Sequence, residues 1–319
     1  MPERRSSVQR GMNDQRDRGR RKKHHKARTP TLDDSSWDAR LQEFCNWLET
    51  NYSTADRPDV ALVQTLSLKR FLQASPMLDM SPGEKLRQLA IFLEPECESL
   101  SQPKGWKVLR RIYQEAIKYD RGWPYHYHSM SLSLLSCSDG LEEEDDVREV
   151  LLNESLDVCR SGLATAGENA SLYSTLGRTH YELRQLEEAL DTYQTAVNLD
   201  PDYVWAVLYK AHCLHDLKRW SEAITAYEAV NISAFDGPKS WRGVLVRDQL
   251  AICRLYAGDE SRAAAEFEAA LYRYESNPGL LYSPQYLIEA ANGVLDGRIG
   301  VRVDALLKSE GWPNRASAS

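Results

Sequence analysis

With 319 residues, 42% of them apolar or cysteine, and a formal net charge of −7, the chain has enough material for one long helical array or two ordinary domains. No apolar run is long enough to span a bilayer and no hydrophobic stretch near the start fits a secretory signal, so neither membrane insertion nor secretion is expected. The six cysteines (Cys45, Cys97, Cys137, Cys159, Cys213, Cys253) form no C-x-x-C pair, and dispersed free thiols point to a reducing compartment, hence to the cytoplasm.

Residues 1–34 form a basic arm with almost no aliphatic content. Its first 30 residues carry eleven Lys/Arg against three acids, a net of +8, while the rest of the chain has a net of −15. Such a segment cannot bury enough apolar surface to offset the entropy of ordering, so it is expected to be disordered. Within it, Arg18, Arg20, Arg21, Lys22, Lys23, Lys26 and Arg28 make a run suited to weak contact with nucleic acid or another polyanion, to a nuclear address, or to nothing beyond solubility.

A folded body is expected from Ser35 onward. Ser35-Ser36 can cap a helix carrying Trp37, Leu41, Phe44, Trp47 and Leu48 at helical spacing, and a second helix fits 59–74. Ser81-Pro82-Gly83-Glu84 reads as a capping box with proline at the first helical position, opening a helix that should stop before Pro95. Residues 35–102 lack any repeat and make an N-terminal cap or small bundle. A helix over 104–119 should end at Gly122-Trp123-Pro124, glycine acting as the stop. A further helix pair is expected over 124–166, interrupted by an acidic insertion near 137–148 that contains Glu142-Glu143-Glu144-Asp145-Asp146.

Three helix-turn-helix units between Ala170 and Asn277 then repeat one pattern. Ala189, Ala223 and Ala263 are each followed four residues later by an aromatic (Tyr193, Tyr227, Phe267) and seven later by Ala196, Val230 or Ala270. Twelve residues before each alanine stands another small residue: Gly177, Ala211, Ala251. The spacing is 34 residues and then 40, so six residues are inserted before the third unit. Helices approach closely only where side chains are small, and a 34-residue pair must stack on its neighbours to bury its apolar face. Cys213 and Cys253 share a register with Thr179, which marks a buried small-residue slot rather than a thiol site.

This pattern resembles the tetratricopeptide repeat. The resemblance is strongest over 170–277 and implies an all-α, helical-hairpin solenoid over 103–280, with capping helices over 281–312 and a loose tail at 313–319. Ser283-Pro284 should start the first cap helix (284–295), and a short helix should follow near 301–309. Gly311-Trp312-Pro313 repeats the glycine stop.

Catalytic signatures are absent: no phosphate-cradling glycine loop, no G-x-S-x-G, no H-E-x-x-H. His212 and His215, with Asp216 beside them, lack the second ligand pair of a zinc site, so neither metal nor cofactor is expected and the chain is not read as an enzyme. The resemblance instead implies a protein or peptide partner bound on the concave face, lined by the first helix of each pair. By helical spacing that face carries Ser171, Ser174, Arg178 and Tyr181, then Trp205, Leu208, Tyr209, His212 and His215, then Leu245, Asp248, Gln249 and Ile252. The family's carboxylate clamp uses several basic residues; here only Arg178 is basic among the matching positions. Exposed Trp205 and Tyr209 beside Arg178 suit an interaction hot spot, the alternative being that Trp205 packs against the preceding helix. The expected role is a scaffold or adaptor. A nucleic-acid-associated protein whose arm contacts phosphates while the repeats recruit a partner is the other reading.

Overall fold

The structure, a computed structural model, describes residues 80–99, 104–139, 141, 146–235, 240–277 and 283–313. The basic arm, the two helices expected over 35–74 and the acids 142–145 lie outside the described residues. Among the described residues there are twelve α-helices and no strands. The chain divides into two compact bodies, one ending at Thr179 and the other beginning at His180.

In the N-terminal body, α1 (Pro82–Ser99), α2 (Lys104–Tyr119), α3 (Pro124–Asp139) and α4 (Asp146–Ala166) pack in sequence, with the start of α5 (Ala170–Glu182) completing it. The cap of α1 forms as read: the Glu84 amide donates to Ser81 Oγ at 3.2 Å. Two expectations are corrected. The first helix does not stop before Pro95 but runs to Ser99, since proline removes only one backbone donor from a helix that packs along α2. Nor does Gly122 act as a left-handed stop. Arg121 and Gly122 form a tight turn, and Pro124 occupies the first position of α3, where its missing N–H costs nothing.

Leu89, Leu109, Ile112, Tyr113 and Leu134 form the centre of this core. Beside it runs a chain of buried hydroxyls. Ser131 Oγ and Ser155 Oγ lie 2.5 Å apart, Ser155 Oγ and Thr179 Oγ1 2.8 Å, and Cys159 Sγ donates to Ser131 Oγ at 3.1 Å. A serine-rich α3 can be buried because its hydroxyls find partners on neighbouring helices, Ser131 on Ser155 and Ser133 on Tyr113 and Glu94. Gly162 lets α4 touch α3: a Cβ there would sit 2.8 Å from Cβ and Cγ of Tyr127.

The C-terminal body continues with α6 (Leu186–Leu199), α7 (Val204–Asp216), α8 (Trp220–Glu228), a 3-10 turn (Ile232–Phe235), α9 (Ser240–Tyr256) and α10 (Glu260–Ser276). Then come α11 (Gln285–Asn292), shorter than the 284–295 expected, a π turn (Asp296–Gly300), and α12 (Val301–Ser309). The six extra residues before the third repeat fall where the 3-10 turn packs on α9, and Phe235 is buried there. The repeating positions are the core. Ala189, Tyr193, Ala196, Ala211, Ala223, Ala263 and Phe267 are all completely buried, and Tyr193 meets Tyr209 of the next hairpin at 5.7 Å between ring centroids. Cys213 and Cys253 are likewise fully buried, and burial pushes both thiols up, Cys253 to about 12.

The turns inside the three hairpins share one geometry. Arg184 (φ 62), Lys218 (φ 58) and Gly258 (φ 90) all take the left-handed conformation at the same register. The following amides, of Gln185, Arg219 and Asp259, reach back five residues to His180, Leu214 and Arg254 carbonyls at 2.9 Å each. Gly311 (φ 69) closes α12 in the same way, as the Gly-Trp-Pro motif led one to expect.

Candidate functional site

Most of the residues read as concave-face contacts are covered by the fold itself. In the N-terminal body Ser171, Ser174 and Arg178 are buried. The Arg178 guanidinium donates to Asp139 Oδ2 at 2.9 Å, so its charge is held by the last residue of α3. In the C-terminal body Tyr181, Leu208, Tyr209, His212, Leu245, Asp248, Gln249 and Ile252 are also buried, leaving Trp205 and His215 partly open. Tyr209, expected to be exposed, is 1% accessible because Tyr193 and Trp205 cover its ring.

The interior positions carry polar bonds. His212 Nδ1 lies 2.7 Å from Tyr227 Oη, and burial lowers the imidazole pKa to about 3. Tyr181 donates to Asp216. Burial opposes ionisation of Asp216, but hydrogen bonds from His215 and Tyr181 outweigh it and the pKa is lowered. Asp248 accepts from Tyr274, yet burial raises its pKa to about 7. Gln249 donates to Tyr286 Oη at 3.1 Å.

Trp205 sits in an aromatic cluster at the start of α7. Phe235 meets it edge-on at 5.4 Å, and the Arg242 guanidinium lies 4.6 Å over its ring. The second open position, His215, belongs to a different cluster, at the far end of α7. Trp220 approaches it at 5.5 Å and Tyr286 at 5.9 Å, both edge-on. Trp220 in turn stacks on Tyr256 at 4.8 Å and 22°. Tyr256 is 48% exposed and its hydroxyl donates to Glu289 of α11, which raises the phenol pKa to about 12. Periodicity missed these residues because they do not repeat: Trp220 shares its register with Leu186 and Glu260, Tyr256 with Glu182 and Asp216.

Among the described residues no three His, Cys, Asp or Glu side chains gather as a metal site, and no helix is long and apolar enough to cross a membrane. The arm residues Arg18, Arg20, Arg21, Lys22, Lys23, Lys26 and Arg28 lie outside the described part.

Comparison with known proteins fits the repeating hairpins. Residues 156–230 match the family model described as anaphase-promoting complex, cyclosome, subunit 3, a tetratricopeptide-type repeat. This stretch carries tetratricopeptide-type repeats. Over 80 residues, 25% of its length, it is 38% identical to mouse (Mus musculus) DnaJ homolog subfamily C member 7 and 35% identical to the human (Homo sapiens) protein, in each case over 16% of the relative's length. Among solved structures, YrrB, described as a TPR protein with an unusual peptide-binding site, is 16% identical with a TM-score of 0.44, over 69% of this chain and 96% of that one. A tetratricopeptide repeat protein from Parabacteroides merdae is 14% identical with a TM-score of 0.49, over 71% and 78% respectively.

Proposed function

We propose that this protein is a non-catalytic scaffold or adaptor that holds a segment of a partner protein on the face built by the first helices of its repeats. The observation that supports this reading is the set of open aromatic side chains at the ends of those helices: Trp205 at the start of α7, and Tyr256 at the end of α9 stacked on Trp220. In the C-terminal body Tyr181, Leu208, Tyr209, His212, Asp248 and Ile252 are buried, while Trp205 and His215 reach solvent. Rigid aromatic rings at partly exposed positions are the side chains that dominate interfaces when a partner covers them.

The test compares capture of the partner recovered by the wild-type chain with capture by Trp205→Ala and Tyr256→Ala, using exposed Tyr272→Ala on α10 as the control. Loss of about tenfold or more in either variant, with cooperative melting retained, supports the reading. Unchanged capture in both would overturn it.

The second reading rests on the sequence of the arm. Its Lys/Arg run contacts phosphates of a nucleic acid while the repeats recruit a protein. With about five to eight contacts, log K should fall against log salt with a slope of roughly −4.5 to −7 on duplex DNA. Binding that persists without residues 18–28 would rule the arm out.

A further inference from the structure

We propose that the Trp220–Tyr256 surface is a docking site for a partner peptide that presents an arginine or lysine side chain to the two rings and to the carboxylates of Asp216 and Glu289. This deepens the interaction reading above and rests on it.

Three observations converge on a cationic occupant. First, the Tyr256 ring is open to solvent beside Trp220, and the negative quadrupole of an aromatic face attracts ammonium and guanidinium groups within about 6 Å. Tyr256 is 48% exposed, so a ligand can reach it. Second, the Tyr256 hydroxyl donates to Glu289, which fixes the ring and makes it more electron-rich, with an acceptor carboxylate beside it. Third, two arginines of the chain, Arg219 and Arg254, are already paired. Arg219 is held by Glu222 at 2.7 Å and Glu187 at 3.6 Å. Arg254 is buried between Glu228 and Glu266.

The same body already uses this pairing internally, where Arg242 lies over Trp205. At Trp220 and Tyr256 the rings and the carboxylates are in place, and the cation is left to the partner. An acidic segment would meet the same carboxylates and be repelled.

The experiment pans the full-length protein against a phage-displayed library of random dodecapeptides. Recovered peptides are then made synthetically and titrated by fluorescence anisotropy against wild type, Tyr256→Ala, Tyr256→Phe and Glu289→Gln, each confirmed folded by circular dichroism. The expected result is enrichment of arginine or lysine, and an affinity loss of about tenfold for Tyr256→Ala and for Glu289→Gln. Tyr256→Phe, which keeps the ring, should stay within about threefold, and alanine at the peptide's basic residue should reproduce the Tyr256→Ala loss. Recovery of acidic or uncharged peptides, or of basic ones indifferent to both Tyr256→Ala and Glu289→Gln, would overturn the cationic assignment and leave the interaction reading standing. Failure to recover any peptide would overturn both.

Discussion

The indole of Trp220 lies flat against the phenol of Tyr256, 4.8 Å between ring centroids and 22° apart, tying the first turn of α8 to the last turn of α9. Two consecutive hairpins are thereby joined at their turn ends by a pair that the repeat pattern does not encode. Such a contact should contribute beyond the area each ring buries. A double-mutant cycle with Trp220→Ala and Tyr256→Ala, followed by urea unfolding, should give a coupling energy of about 0.5–1.5 kcal/mol. Simple additivity would mean that the rings are neighbours without being partners.

Close helix contact at small residues sets the next expectation. Gly162→Ala places a Cβ 2.8 Å from the Cβ and Cγ of Tyr127, which cannot swing away as a side-chain end could. Ala189→Leu fills a completely buried position between α6 and its neighbours. Each should cost about 1–3 kcal/mol. A melting point equal to wild type in both variants would show that the helices can separate at no cost.

The shared hairpin turn makes an opposite pair of substitutions informative. Gly258 adopts φ 90, so Gly258→Ala forces a side chain into the left-handed region and should destabilise by about 1–2 kcal/mol. Lys218 already bears that strain at φ 58, so Lys218→Gly should leave the melting point unchanged or raise it. A fall in stability for Lys218→Gly comparable to that of Gly258→Ala would contradict the common geometry.

Buried histidines predict loss of stability in mild acid. Burial lowers His126 and His128 to about 4 and His212 to about 3, against an ordinary value of 6.5. The unfolded chain therefore takes up protons first. Stability from these groups is intact above pH 6.5 and is lost as pH falls toward 4 and below. His126 is completely buried, and among the described residues neither ring nitrogen finds a hydrogen-bond partner. His126→Leu should thus flatten the decline in urea midpoint between pH 6.5 and 4 while leaving stability at pH 7.5 within about 1.5 kcal/mol. An unaltered pH slope in this variant would assign the acid sensitivity elsewhere.

Asp248 works in the other direction. Its folded pKa is raised from 3.8 to about 7 by burial, so its contribution is fully present below pH 3.8 and is lost as pH rises through 7. Asn at this position keeps an acceptor for the Tyr274 hydroxyl but carries no charge. Asp248→Asn should therefore gain stability over wild type between pH 6 and 8.5, by about 1–3 kcal/mol at the upper end. Equal unfolding curves for the two proteins at pH 8.5 would show that the carboxyl ionises without penalty.

Periodicity determined the hairpins. The spacing of Ala189, Ala223 and Ala263, the aromatics four residues on and the small residues twelve residues back located the helix contacts, because contact distance between helices depends on side-chain size and that is written locally. It also located the cysteine slot and the capping box at Ser81. Sequence could not decide which groove positions stay open. Arg178 has the appearance of a surface anchor, yet Asp139, 39 residues away, holds it inside; Tyr209 is covered by Tyr193 and Trp205. Accessibility is a property of what packs over a side chain, and long-range packing leaves no local signature. For the same reason the Trp220–Tyr256–Glu289 surface, assembled from three helices at positions that do not repeat, exists only in the tertiary structure.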